Sequence, residues 1–263
     1  MHETTYALIT GGSAGIGKAM AMELARRKYN LLLVALDDGL LPLAAQEIRD
    51  RHGVTVDCLS IDLTLESAPA QVHAWCRKKG YTVNMLINNA GFGRSGLFED
   101  TALDEYYRMI ELNNRAAVGL TYLFLPGITR QADGRILFVS SMEATMPLPY
   151  KAVYTGTKNF LYAFALAIRE ELKRTPVQVS ILCPGPVLTN EEGKKRLKAQ
   201  GKGGQLLVMM PEAVARIAVP GMLRGQRVII PGTLPILINI FMGFVPLGIK
   251  MSLLERVFRV YKK

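Results

Sequence analysis

The apolar residues of this chain fall into short unbroken runs, and that pattern constrains the fold more than any other feature. Tyr6-Ala-Leu-Ile-Thr10, Leu31-Leu-Leu-Val-Ala35, Val54 to Ser60, Met85 to Asn88, Ile136 to Ser140, Val177 to Cys183 and Val228 to Ile230 each read as a strand. A strand with one wet face alternates apolar and polar residues, whereas an unbroken run has both faces covered. Between nearly all of these runs lie stretches of helical periodicity, such as Gly15 to Lys28 and Leu40 to Arg51. The alternation predicts an α/β fold: a doubly wound parallel sheet of about seven strands flanked by helices, with its ligand cleft at the strands' carboxyl ends.

No Ser/Pro-rich linker, charge block or repeat divides the 263 residues, so residues 1–263 are expected to form one domain. Cys58, Cys76 and Cys183 lack metal-ligand spacing and the three histidines are scattered. No metal site is expected, and free thiols suit a reducing compartment. The N-terminal Met-His-Glu-Thr-Thr-Tyr6 lacks the basic and apolar regions of a signal peptide, which adds to a cytoplasmic expectation. The net charge of +10 is spread over the whole length, without a nucleic-acid motif carrying interleaved aromatics. An anionic small molecule or an anionic membrane surface suits that charge better than nucleic acid.

Two local patterns carry chemistry. Thr10-Gly-Gly-Ser-Ala-Gly15-Ile-Gly17 joins the first strand to the first helix. Glycines let the backbone turn tightly and approach a pyrophosphate, and the helix N-terminus offers unpaired N–H groups. Tyr154 and Lys158 stand one helical turn apart, with Ser141 thirteen residues before the tyrosine. A phenol of ordinary pKa, about 10, is a poor proton donor near neutrality unless something stabilises its anion. An ammonium at i+4 on the same helix face does so.

With these motifs the chain resembles the short-chain dehydrogenase/reductase family of the Tyr-x-x-x-Lys type, over about Tyr6 to Pro231. Thr10-Gly-x-x-x-Gly15-x-Gly17, Asp62-Leu63, Asn88-Asn-Ala-Gly91, Val139-Ser-Ser141, Tyr154-x-x-x-Lys158 and Pro184-Gly-Pro-Val-Leu-Thr189 follow in the family's order. The resemblance implies a Rossmann-type domain that binds NADP or NAD and interconverts a carbonyl and an alcohol. It assigns Tyr154 as proton donor, Lys158 as phenolate stabiliser and ribose ligand, and Ser141 as polariser of the substrate oxygen. It assigns Asn113, or alternatively Asn114, to a water chain toward the lysine. Cofactor contacts are implied for Gly11, Ser13, Gly15, Ile16, Gly17, Asp37, Asp62, Leu63, Asn89, Ala90, Gly91, Pro184, Val187 and Thr189. A homodimer or homotetramer is implied as well.

Several positions stay open at this level. Ala35 and Leu36 end the second strand where an acidic or basic residue would choose the cofactor; Asp37 either reaches a ribose hydroxyl or begins a solvated loop with Asp38. Glu143 either faces solvent or reads a substrate, and Tyr150 either stacks or packs. Residues 189–211, rich in Lys and Gly before Leu206-Leu-Val-Met-Met210, are expected to be a substrate lid or a solvated helix and loop. No charged residue occurs from Val228 to Ile249, but prolines interrupt the run. Residues 232–263 are therefore expected to form an apolar C-terminal helical extension near the cleft or a neighbouring subunit, with peripheral membrane contact as the alternative. The leading functional expectation is an oxidoreductase acting on an apolar ketone, steroid-like or 3-oxoacyl substrate. The rivals are a catalytically silent NAD(P)-sensing protein and a membrane-peripheral lipid-modifying reductase.

Overall fold

Seven parallel strands form one sheet: β1 (Thr5–Thr10), β2 (Asn30–Ala35), β3 (Val56–Ser60), β4 (Thr82–Asn88), β5 (Arg135–Val139), β6 (Gln178–Leu182) and β7 (Val228–Ile229). Their order is β3-β2-β1-β4-β5-β6-β7. The structure is a computed structural model and describes residues 4–188 and 208–262, apart from the side chains of residues 235 and 238–240. Ala7, Leu8, Ile9 and Leu31 through Val34 are wholly buried, which is the two-sided burial that unbroken apolar runs require. The last strand is the shortest, two residues pairing with Ile181 and Leu182.

The main helices are α1 (Gly15–Arg26), α2 (Leu40–His52), α3 (Ala68–Lys79), α4 (Leu103–Ile110), α5 (Ala116–Ile128), α6 (Ala152–Glu171), α7 (Pro211–Leu223), α8 (Thr233–Phe244) and α9 (Leu247–Phe258). Helices α1, α2 and α7 cover one face of the sheet through Met20, Leu24, Leu41, Ile48, Val214 and Met222. Helices α3, α5 and α6 cover the other through Val72, Leu120, Phe124 and Leu161. A π-helical turn, Glu111–Arg115, joins α4 to α5.

The chain winds outward from β1 to β2 and β3, then returns to place β4 on the other side of β1. At this switch point the carboxyl ends of β1 and β4 diverge and leave a crevice. One residue bridges it. Thr10 Oγ1 donates to the Ile87 carbonyl at 3.3 Å and accepts from the amides of Asn89 at 2.9 Å and Ala90 at 3.0 Å.

The uncharged C-terminal run does not continue as one rod. Pro246 cannot donate a helical hydrogen bond, and the chain breaks at Val245-Pro246 between α8 and α9. Twelve helical residues reach only about 18 Å, short of the roughly 30 Å of a bilayer core. Among the described residues no helix is long and apolar enough to cross a membrane. Met242 and Leu254 instead pack on Met146 and Leu148, just before α6. The Tyr150 hydroxyl donates to Glu255 Oε1 at 2.8 Å, so this tyrosine ties the extension down rather than stacking at the cleft mouth.

Because that satellite cluster is small, its loss should loosen the extension without unfolding the sheet. Leu254→Ala, at a buried site, is expected to lower local stability of the 233–262 segment by about 2–3 kcal/mol. Hydrogen exchange should show faster amides in α8 and α9 and unchanged protection in β1, β4 and β5.

Candidate active site

A cavity of about 670 Å³ opens at the switch point and runs from the glycine turn to the start of α6. At one end the backbone of Gly11, Ala14, Gly15 and Ile16 lines it. Gly11 and Gly15 have φ of 65° and 54°, the left-handed region that side chains disfavour. A Cβ at Gly17 would stand 2.1 Å from the Gly11 carbonyl oxygen, so this glycine permits the close packing of α1 on the turn. No side chain caps the N-terminus of α1, and its first turn holds no acidic residue. The uncapped amides and dipole of α1 therefore face an anion-binding position.

Asn89 Nδ2 donates to the carbonyls of Thr10 at 2.8 Å and Gly11 at 3.3 Å, clamping the turn against the end of β4. Asn89, Ala90 and Gly91 also line the cavity, as do Pro184 and Val187 after β6. Ser13, Gly17, Asp37, Asp62 and Leu63 do not line it. Leu63 is buried in the core beside Val34 and Ala68, so its side chain serves packing. Asp62 Oδ1 accepts from the amide and hydroxyl of Thr64 and shapes a tight turn. Asp37 is exposed after β2, while Asp38 Oδ1 accepts from the Leu40 amide at the start of α2. Thr189 lies outside the described residues, as does most of the expected lid. The described end of that segment returns beside the cavity, where Met209 bridges Val187 and Val208 joins the lining.

At the other end Ser141, Tyr154 and Lys158 share the cavity wall. Ser141 ends the extended run after β5, and its Oγ accepts from the Glu143 amide at 3.1 Å, capping the short turn Met142–Thr145. Accepting there leaves the hydroxyl proton as a donor. Lys158 is only 5% exposed, its Nζ donating to the Val139 carbonyl at 2.9 Å and standing 5.9 Å from the Tyr154 ring centroid. Burial holds its pKa down, to about 8. Cys183, in the same buried region, has its thiol pushed up to about 12 by burial, so it stays a neutral packing group.

The Tyr154–Lys158 turn is pinned from several sides. Asn113, 1% exposed, donates from Nδ2 to Thr157 Oγ1 at 2.9 Å and to the Phe92 carbonyl at 3.0 Å, and its Oδ1 accepts from the Phe92 amide at 3.0 Å. Asn114 Nδ2 donates to the Thr157 carbonyl at 2.8 Å, and Ser140 Oγ to the Lys158 carbonyl at 2.7 Å. Both asparagines stand in the π turn Glu111–Arg115 and both reach Thr157 of α6. The loop after β4 fits closely on this turn. A Cβ at Gly91 would lie 2.7 Å from Asn113 Oδ1 and 3.3 Å from Lys158 Nζ, and one at Gly93 would lie 2.5 Å from the Tyr154 ring.

Thr157, Lys151 and Tyr261 were not legible in the sequence as site residues, while Thr10 was legible only as a motif member and Glu143 only as an open position. Thr10 and Thr157 act through hydrogen bonds to segments far away in the chain. Glu143 lines the cavity and pairs with Lys151 Nζ at 2.8 Å, so it is not a fully solvated side chain. Lys151 Nζ also lies 5.1 Å from the Tyr261 ring centroid, and Tyr261 completes the outer wall.

A family model described as short chain dehydrogenase matches residues 5–200. A very-long-chain 3-oxoacyl-CoA reductase of Coprinopsis cinerea is 34% identical over 176 residues, covering 66% of this chain and 52% of that protein. A 3-dehydrosphinganine reductase of Danio rerio is 31% identical over 231 residues, covering 84% of this chain and 69% of that one. The alignments thus span about half the length of the 3-oxoacyl-CoA reductases. Among solved structures, a short-chain dehydrogenase from Sphingobium yanoikuyae in complex with NADPH superposes with a TM-score of 0.78 at 28% identity, covering 92% of this chain and 96% of that one.

Charging Lys158 inside the fold costs stability. Its folded pKa lies below the ordinary value, so below about pH 8 both states are protonated and the folded state bears a penalty of about 3 kcal/mol. As pH rises from about 8 toward 10.5 the unfolded chain holds more protons, and the penalty is relieved. Lys158→Met is accordingly expected to raise Tm at pH 7 by roughly 6–12 °C, at about 2–4 °C per kcal/mol, checked by calorimetry.

Proposed function

The chain belongs to the short chain dehydrogenase family, and on that premise we propose that it is a nicotinamide-dependent oxidoreductase interconverting a carbonyl and an alcohol on an apolar substrate. One observation carries the reading: a single cavity has an uncapped helix N-terminus at one end and Ser141, Tyr154 and Lys158 at the other. That is the layout required by a long ligand with an anionic middle and a reactive end.

The residues fit such a cofactor. The glycine cradle leaves backbone N–H groups open at the turn, and side chains at Gly11 or Gly17 would close it. Gly11, Gly15 and Ile16 would hold the pyrophosphate, Asn89 to Gly91 the adjoining ribose, and Pro184 and Val187 the nicotinamide side. Lys158 would also meet the nicotinamide ribose. When bound, NADH or NADPH supplies the hydride. Asp37, exposed after β2, favours ribose hydroxyls over a 2′-phosphate, whereas the Sphingobium yanoikuyae structure contains NADPH, so both cofactors stand as candidates.

The protein's own part is proton transfer. In reduction Tyr154 gives its phenolic proton to the carbonyl oxygen, while Ser141 donates a hydrogen bond to the same oxygen as negative charge develops there. The buried Lys158 ammonium stabilises the resulting phenolate; lowering a phenol pKa by two to three units takes roughly 3–4 kcal/mol. Asn113 and Thr157 act as positioning residues for that turn. The cavity wall carries Phe92, Met142, Leu188 and Val208 beside Arg94, Glu143 and Lys151, which supports a ligand with an apolar body and a polar or charged group. The names of the two relatives favour a 3-oxo group on a lipid-like chain as the substrate class.

Tyr154→Phe is expected to reduce turnover of ketone and 3-oxoacyl thioester substrates at least about a thousandfold, at the strong end of general acid–base effects, and to leave Kd for NADH and NADPH within about twofold. Wild-type turnover by this variant would overturn the mechanism. In the wild type, kcat for reduction should hold level below about pH 8 and fall above it as the Lys158 ammonium is lost, measured as loss of reduced-cofactor absorbance.

A further inference from the structure

The C-terminal extension presents an apolar face that the oxidoreductase reading does not use. On α8, Leu234, Leu237, Phe241 and Phe244 recur at helical spacing and are all exposed, Phe241 by 67% and Phe244 by 85%. On α9, Ile249, Leu253 and Val257 form a second exposed stripe at i, i+4 and i+8. Leu247, also exposed, stands with Phe244 on either side of the Val245-Pro246 break. Nine of the 21 exposed large apolar side chains among the described residues fall between Leu234 and Val257. The opposite sides of the same helices are satisfied, with Met242 and Leu254 buried against Met146 and Leu148. The outward stripes are therefore not the residue of a poorly packed core.

Charge selects the occupant. Between residues 233 and 262 the only acidic residue is Glu255, and its carboxylate is held by Arg259 at 2.6 Å and by the Tyr150 hydroxyl. Lys250, Arg256 and Lys262 lie in the same segment, and Arg256, seven residues after Ile249, falls on the α9 stripe itself. A second copy docked on this face would oppose basic side chains to basic side chains on a chain of net charge +10. A protein partner would be met by stripes that offer it almost no hydrogen-bonding groups. An anionic lipid surface takes up both features, since phenylalanine and leucine enter the acyl boundary while lysine and arginine stay among the headgroups.

We propose that α8 and α9 form a docking element that seats this protein on an anionic bilayer surface, with Phe241, Phe244, Leu247 and Ile249 inserted. Each helix is too short to span, so the pair lies in the interface plane. The element is continuous with the cavity wall. Tyr261 follows α9 directly and lines the cavity, and Lys151 rests over the rings of Phe258 and Tyr261. Docking would therefore hold the cavity mouth near the lipid from which an apolar substrate arrives.

The test is sedimentation of the full chain with phosphatidylcholine vesicles and with mixed phosphatidylcholine–phosphatidylserine vesicles. The wild type is expected to sediment with the mixed vesicles, and Phe241→Asp with Phe244→Asp to lower the apparent partition constant at least about tenfold. Arg256→Glu with Lys262→Glu should remove the preference for phosphatidylserine. The milder Phe244→Ser, together with thermal unfolding and reduced-cofactor binding of every variant, separates lost docking from lost folding. A wild type that stays in the supernatant with both vesicles overturns the proposal, as does binding that ignores the Phe241 and Phe244 changes. Concentration-dependent self-association without lipid, abolished by the same changes, would assign the face to a second copy instead. Absence of cofactor binding in the wild type would count against the oxidoreductase reading and leave the vesicle result intact.

Discussion

The hydroxyl of Thr10 holds together the place where the two halves of the sheet part. At the β1–β4 boundary the polypeptide changes winding direction, and the backbone groups on either side lose their ladder partners. Thr10 Oγ1 answers three of them, one carbonyl and two amides, at a buried position. Asn89 closes the same seam from the other side by holding the Thr10 and Gly11 carbonyls. The glycine turn and the loop Gly91 to Arg94 both start from this seam. With its ends fixed, the turn presents open amides, and the loop lies against Tyr154 and Lys158 with no room for a side chain at Gly91 or Gly93. The glycine turn and the Tyr154–Lys158 pair are thus set relative to one another by a few hydrogen bonds rather than by the large apolar cores.

Lys158 shows the opposite economy. The folded state keeps an ammonium at a buried place on the cavity wall, where loss of hydration holds its pKa down. Asn113, Asn114, Thr157 and Ser140 hold the surrounding turn of α6, and the Val139 carbonyl receives one of the ammonium's protons. Such strain persists because neighbouring structure over-determines it, and it is the usual condition of a group meant to act on charge that appears only during a reaction.

The C-terminal extension joins this site to the protein's periphery. Its inner side is fastened by Met242, Leu254 and the Tyr150–Glu255 hydrogen bond, and its last turn brings Tyr261 to the Glu143–Lys151 pair at the cavity's edge. Its outer side carries the apolar stripes. Events at the outer surface and at the cavity mouth therefore share one short element, with few contacts to resist its movement.

Much of this was open to reading from the chain alone. Unbroken apolar runs announced two-sided burial and hence a parallel sheet, because side-chain periodicity in a strand is a local property. The glycines of the turn and the Tyr154–Lys158 pair were equally plain, since an i,i+4 spacing or a backbone demand is written within a few residues. The role of Asn113 beside Asn114 was not: Asn113 holds the Thr157 hydroxyl and Asn114 the Thr157 carbonyl, contacts that depend on how this turn packs against α6. Leu63 stands in a cofactor motif, and only the fold shows that its side chain is buried in the core. Lys151 and Tyr261 had no signature at all, and Glu143 was only an open position, because nothing in their spacing shows that the end of α9 returns to the start of α6. Local sequence determined the strands, the glycine turn and the Tyr154–Lys158 pair. Tertiary structure alone decided which distant side chains close the site, since their proximity depends on how whole elements pack and not on their separation along the chain.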